Sequence, residues 1–114
     1  MLCSKNRLRN KKDINNVSKK GRTAAGNFIL LKFIKNNLNN SRFAFAISSR
    51  IFKSAVKRNK IKRRLREITR KNIFRIRNGM DFLIIVKDAL IRESSVDLGK
   101  ELLALFDKSK LLIK

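Results

Sequence analysis

The positive charge of this 114-residue chain is confined to its first two-thirds, and that confinement limits how the chain can fold. Residues 1–77 hold 24 of the 30 Lys and Arg but only two carboxylates, Asp13 and Glu67. Residues 78–114 hold six bases and six acids, so the formal net charge of +22 belongs to the first segment alone. The density peaks from Arg50 to Arg77, where 13 bases meet only Glu67. Folding such a segment compactly sets like charges against one another, and a polyanion relieves that repulsion. Nucleic acid is the first candidate, because its phosphates exchange condensed counterions for Lys and Arg. An anionic membrane surface is the competing one.

A hydrophobic content of 43% is that of a globular chain and too high for a disordered basic tail. The length suits a single domain over residues 1–114 with one modest core, residues 1–9 forming a flexible basic N-terminus. No apolar run approaches the roughly 18 residues that a membrane span needs. The opening Met1-Leu2-Cys3-Ser4-Lys5 has no apolar signal stretch, so a cytoplasmic location is expected. Cys3 is the only cysteine, which excludes an internal disulfide or a cysteine metal cluster. Proline is absent, and Gly21, Gly26, Gly79 and Gly99 are too scattered to form a phosphate-cradling loop.

The pattern of residues predicts a short helix over about Asn10 to Lys20, with Asn10 as cap, Asp13 as the capping acid and Gly21 as terminator. Residues 27–34, Asn-Phe-Ile-Leu-Leu-Lys-Phe-Ile, read as a central strand, apolar on both sides. An Asn-rich loop follows. Arg42 to Ser48 then alternates, with Phe43, Phe45 and Ile47 on one face and Arg42, Ala44, Ala46 and Ser48 on the other. Met80 to Lys87 is a further strand behind an Asn78-Gly79 turn. A closing helix over about Ser95 to Lys110, capped by Ser94 or Ser95, carries the stripe Leu98, Leu102, Leu105 and Phe106. The class is α+β, one sheet packed with helices.

Between the second and third of these strands lies a helix from about Ser54 to Arg70. At about 100° per residue, Ile61, Leu65 and Ile68 form a narrow strip able to dock on the sheet. Arg58, Asn59, Lys62, Arg63, Arg66 and Arg70 fill one arc beside it, and Lys60, Arg64 and Lys71 line the other flank. Ordinary solvated helices interleave Glu with Lys at four-residue spacing. Here Glu67 is the only acid, so the arc points to a polyanion. The apolar strip is too narrow for insertion into a membrane interface. No zinc ligands, heptads or helix-turn-helix pattern point to base-specific reading of DNA.

Residues 55–67, AVKRNKIKRRLRE, resemble the "RNR" signature of the bacterial ribonuclease P protein family, A-V-x-R-N-x-x-K-R-x-x-R-E. The match is at Ala55, Val56, Arg58, Asn59, Lys62, Arg63, Arg66 and Glu67. Arg7-Leu8-Arg9, Asp13-Ile14 and Gly21 resemble the family's opening helix, residues 81–86 its later strand, and residues 102–105 its closing helix. The resemblance implies a four-stranded sheet with three helices in the order α-β-β-β-α-β-α. It also implies a left-handed crossover at the basic helix, against the usual rule. On this pattern the fourth strand is expected in or near residues 28–34, or around Ser49 to Phe52.

The same resemblance implies a function. The protein would bind a catalytic RNA subunit, one protein to one RNA, through Arg50, Lys53, Arg58, Asn59, Lys60, Lys62, Arg63, Arg66 and Arg70. It would also hold the 5′ leader of pre-tRNA in a cleft that the family lines with aromatics. Here those positions are Ile14 and Ser18 on the helix and Leu31 on the strand, so ring stacking is weakened. Phe33, on the same strand face as Leu31, is a possible substitute, though it also reads as core. Arg7, Arg9, Lys11, Lys12 and Arg42 would supply charge to the cleft. The family's lysine pair before the signature is Ser49-Arg50 here, with Lys53 and Lys57 nearby.

Nothing in the chain suggests a protein-borne active site. It has no His and no Tyr, and phosphodiester hydrolysis needs a positioned base, an acid or carboxylate-bound metals. Asp13 reads as a cap and Glu67 as a helix salt bridge. Asp81, Asp88, Glu93, Asp97, Glu101 and Asp107 show no metal-binding spacing. By resemblance, the RNA is the catalyst and Mg²⁺ belongs chiefly to it. The alternative is a small ribosomal-type RNA-binding protein, which would share charge and size but not the signature.

Overall fold

The computed structural model describes residues 3–50, 52–87 and 97–112. Helix α1, Lys11–Lys20, opens at Asn10, whose Oδ1 accepts the Lys12 N–H at 2.8 Å. It ends at Gly21, whose N–H reaches the Val17 carbonyl at 2.9 Å. A Cβ on Gly21 would lie 2.4 Å from that oxygen, so no side chain fits there. The chain then enters strand β1, Arg22–Ala25, followed by β2, Ile29–Lys35, and β3, Arg42–Ala46. Helix α2, Ala55–Lys71, leads through a 3-10 turn at Ile73–Arg75 to β4, Met80–Val86, and helix α3, Leu98–Lys108, closes the fold.

The sheet order is β1-β2-β4-β3. β1–β2 and β2–β4 are antiparallel, while β3–β4 is parallel and connected through α2. The fourth strand is therefore β1, ahead of the strand read from sequence, and the described residues 49, 50 and 52 contribute none. Four residues, Arg-Thr-Ala-Ala, show no alternation to detect; the ladder offered by β2, from Arg22↔Phe33 to Ala25↔Leu30, recruits them. The Ser48–Phe52 stretch turns instead, with the Phe52 N–H on the Ser48 carbonyl at 2.9 Å.

The two faces of the sheet differ. Ile29, Leu31, Phe33, Phe43, Phe82 and Ile84 pack against Leu65 of α2 and Leu98, Leu102, Leu105 and Phe106 of α3. Phe82 is the hub, stacked on Phe43 at 4.9 Å between centroids and edge-on to Phe106 at 5.3 Å. Across the sheet, Ala44 and Leu83, joined by Ile34, Ala46 and Ile85, meet Val17 and Ile14 of α1 and Leu8. The small side chains of β3 make room for this thinner layer.

Residues 1–9, expected to be flexible, are docked from Ser4 onward. Ser4–Asn6 form a 3-10 turn, and the Leu8 N–H bonds the Phe43 carbonyl at 2.8 Å. Asn6 Nδ2 donates to the Ser41 carbonyl at 2.8 Å, and Leu8 is 4% exposed. The open edge of β3 is covered by this segment. At the other end, α3 is capped by Asp97, which accepts the Lys100 N–H at 3.1 Å. The expected caps, Ser94 and Ser95, lie outside the described residues.

Arg42 holds the elements together. It stands opposite Asp81 in the parallel ladder and grips that carboxylate with two bonds, Nε to Oδ1 at 2.8 Å and Nη2 to Oδ2 at 2.7 Å. Its Nη1 reaches Asp13 of α1 at 3.3 Å. Asp13 is thus an ion-pair partner and not the expected capping acid. Asn36 Nδ2 adds a third bond to Asp81, at 2.9 Å. The Asp81 hydrogen bonds, ahead of its charge and that of Asp13, raise the Arg42 pKa against a lesser desolvation. Asp81→Ala should destabilise the protein by about 2 kcal/mol, since it removes both charge-assisted bonds of the fork and leaves the guanidinium only Asp13. Asp13→Ala, at the exposed end, should cost about 1 kcal/mol or less. Urea unfolding at fixed salt checks the order; equal losses would overturn this account of the cluster.

Candidate nucleic-acid interface

The interface is built on α2. Ser54 starts the helix by accepting the Lys57 N–H at 3.3 Å, and Arg70 and Lys71 occupy its last turn, where cations suit the helix dipole. The docking strip contains Leu65 and Thr69, both buried, with Ile61 and Ile68 half-buried. Thr69 was not expected there. Its hydroxyl is satisfied within the helix by the Leu65 carbonyl at 2.9 Å, which lets a polar residue pack inward.

This docking leaves Asn59, Arg63, Arg66 and Arg70 exposed in one arc, with Arg58 and Lys62 half-buried along its inner border. Arg58 also has a structural task, donating from Nη1 to the Phe52 carbonyl. Arg50 and Lys53 are exposed on the segment leading into α2, and Lys60, Arg64 and Lys71 on the opposite flank. Arg70 is tied to Glu67 by Nε to Oε2 at 3.1 Å and by Nη2 to Oε1. That hydrogen bond, more than the charge of Arg70, holds Glu67 below the usual carboxylate range.

Beside the arc lies a cavity of about 450 Å³. It is lined by Arg7, Leu8, Arg9 and Ile14, by Phe43, Ala44 and Phe45 of β3, and by Arg66 of α2. The structure therefore brings Arg7, Arg9 and Ile14, expected in a leader cleft, against a cation expected on the RNA-binding helix. Lys11 and Lys12 are exposed on the first turn of α1.

Four expected cleft residues are placed otherwise. Leu31 is fully buried and Phe33 is 9% exposed, both on the sheet face that packs against α2 and α3. Strand alternation sends these two residues away from α1, so neither can line a cleft beneath it. Phe33 instead borders a second cavity with Lys20, Arg22, Lys35 and Arg77. Ser18 is half-buried outside the first cavity, its carbonyl accepting Lys32 Nζ at 2.9 Å. Arg42 is committed to Asp81 and Asp13. Phe45, half-buried, lines the first cavity although the sequence did not mark it, and Lys32, which alternation places on the α1 side of β2, lies outside that cavity.

Five of the described carboxylates besides the exposed Asp107 have structural partners. Asp13 and Asp81 hold Arg42, Glu67 holds Arg70, and Asp97 caps α3. Glu101 accepts the Asn27 and Phe28 N–H groups at 2.9 and 3.0 Å, fastening the β1–β2 turn to α3. Among the described residues, no group of three or more His, Cys, Asp or Glu is placed to hold a metal ion. Cationic recognition is the chemistry that this surface offers.

A family model described as Ribonuclease P matches residues 2–110. The chain belongs to the ribonuclease P family. The ribonuclease P protein component of Syntrophomonas wolfei is 32% identical over 100% of this chain and 95% of its own length. That of Pseudanabaena is 31% identical over 98% of this chain. Among solved structures, the ribonuclease P protein of Thermotoga maritima, in complex with 1-(4-fluorophenyl)-2-thiourea, superposes with a TM-score of 0.79. It is 31% identical and covers 87% of this chain and 95% of its own. The Staphylococcus aureus protein, at 22% identity and a TM-score of 0.85, shares the fold.

The ribonuclease P fold of this chain thus carries an arc of cations with little internal compensation. In low-salt buffer its far-UV circular dichroism should fall short of native content, and millimolar sulfate should restore it by binding the cationic sites. Sodium chloride at matched ionic strength and a neutral osmolyte should restore less. A full native spectrum without added anion would rule this out.

Proposed function

We propose that this chain is the protein subunit of a bacterial ribonuclease P, one per catalytic RNA, and that it assists endonucleolytic removal of the 5′ leader from pre-tRNA. The observation that carries the reading is the exposed arc of α2, which presents the family signature with Glu67 as its single, already paired, acid. Arg63, Arg66 and Asn59 would take phosphates of the catalytic RNA. Arg58, Lys62, Arg50 and Lys53 would flank them, with Lys60 on the far side and Arg70 shared with Glu67.

The cavity beside Arg66 is the proposed place for the leader, with Arg7 and Arg9 on its phosphates and Ile14 and Phe45 against its bases. Lys11 and Lys12 extend that cationic path. Catalysis would rest with the RNA: among the described residues no three His, Cys, Asp or Glu are grouped to hold a metal ion, and the ions of the holoenzyme would be held chiefly by RNA. No helix among the described residues is long and apolar enough to cross a membrane. A cytoplasmic place of work, with no membrane partner, goes with this reading.

The direct test is reconstitution with a ribonuclease P RNA at low Mg²⁺. Added protein should restore pre-tRNA cleavage, and failure to do so overturns the proposal. Arg63→Ala with Arg66→Ala should lower the magnitude of the log–log salt slope of RNA affinity by about 1.4–1.8, as two phosphate contacts are lost. The melting temperature should not fall, since both side chains are exposed and two like charges are removed; an unchanged slope would remove these residues from the interface.

Ile14→Phe places a ring in the proposed leader cavity and should tighten pre-tRNA binding by about 1–3 kcal/mol. Mature tRNA, which lacks a leader, should be unaffected. Ser18→Phe, outside the cavity, should give no such gain. Equal tightening of both ligands by Ile14→Phe would place the leader elsewhere.

A further inference from the structure

The chain's only aromatic residues are eight phenylalanines, since it has no Tyr and no Trp. Seven of the rings are buried or half-buried. Phe74 is 93% exposed. It stands on the 3-10 turn Ile73–Arg75 that follows α2, and the turn is pinned at both ends. Asn72 Nδ2 donates to the Ile68 carbonyl at 2.8 Å, and the Arg75 N–H bonds the Asn72 carbonyl at 2.9 Å. Downstream, Ile76 is 2% exposed and the Arg77 N–H bonds the Leu111 carbonyl at 2.7 Å. Ile73 packs on the core. With Ile73 and Ile76 drawn inward, the backbone holds the Phe74 ring outward in a defined place.

A single exposed apolar side chain is ordinary on a protein surface. This one has unusual surroundings. Lys71, Arg75 and Arg77 are exposed on either side of it in the chain. The nearest acids in sequence, Glu67 and Asp81, are already paired with Arg70 and Arg42. The Arg75 guanidinium is steadied by Nη1 donating to Asn72 Oδ1 at 3.2 Å. A flat ring among exposed cations is the combination with which proteins hold single-stranded nucleic acid, bases stacking on the ring while phosphates meet the charges. It also continues the basic helix past the end of the family signature at Glu67.

We propose that Phe74 is a stacking platform for an unpaired base of RNA, with Lys71 and Arg75 engaging the neighbouring phosphates. The proposal rests on the ribonuclease P reading for the identity of the RNA, and it adds a contact that this surface provides in place of a fully aromatic cleft. Because the ring is already bare, replacing it leaves the fold undisturbed, and the effect on binding can be read directly.

Phe74→Trp makes the chain's single indole, so its fluorescence reports on this position alone. Titration with ribonuclease P RNA should quench that emission at an affinity close to the unsubstituted protein's, whereas a fully paired RNA duplex should not quench it. Phe74→Leu keeps apolar bulk without a ring face. It should weaken RNA binding about 5- to 150-fold at fixed salt, with an unchanged salt slope and an unchanged melting temperature. Unquenched indole emission at saturating RNA would overturn the stacking role while leaving the ribonuclease P reading in place. So would Phe74→Leu binding as tightly as the unsubstituted protein, or equal quenching by the duplex. Absence of any ribonuclease P RNA binding by the unsubstituted protein would overturn both.

Discussion

Asp81 faces Arg42 across the parallel ladder of β3 and β4, and the buried two-bond fork between them is the contact on which the remaining geometry depends. Through the third guanidinium nitrogen the same arginine takes hold of Asp13, so the first turn of α1 is fastened to the edge of the sheet. Ile14 of α1 and Arg66 of α2 both line the cavity at the β3 edge. A buried charge pair of this kind need not add much net stability, because desolvation offsets its Coulomb attraction. What it adds is register: a shifted β3 would leave Asp81 buried and unpaired.

The treatment of Asp81 is general in this protein. With eight acids to 30 bases, compensation inside the fold goes to a few decisive places. Glu101 draws the β1–β2 turn onto α3, Asp97 starts α3, and Glu67 relieves the end of α2. The exposed arc of α2 carries many cations against the single acid Glu67 as a consequence. Folding and RNA binding are then two parts of one electrostatic balance, since the polyanion supplies the counter-charge that the chain lacks.

The two layers around the sheet divide the work. One face is packed on a Phe82 hub against α2 and α3, which fixes the side of α2 that faces outward. Among the described residues, the other face carries α1 and the docked Ser4–Arg9 segment over small side chains, and a cavity remains at the β3 edge.

Local patterning was enough to read much of this. The alternation of β3, the apolar runs of β2 and β4, the stripe on α3 and the one-sided charge of α2 all follow from residue periods that the backbone imposes. The short strand β1 was not legible, because Arg-Thr-Ala-Ala acquires strand form only from the ladder beside it. Nor was the docking of the N-terminus, which depends on the unpaired edge of β3. Leu31 and Phe33 could be assigned a common face from sequence, but which layer covered that face was a tertiary outcome; it buried both against α3 and left Lys32 beneath α1. Arg42 and Asp13 lie 29 positions apart, and no local rule marks them as partners. The sequence by itself determined the strongly patterned elements and the sign of the charge to be met, since these depend on period and composition. Only the tertiary structure decided which cations are neutralised and which rings are hidden, because pairing and burial depend on residues distant in the chain.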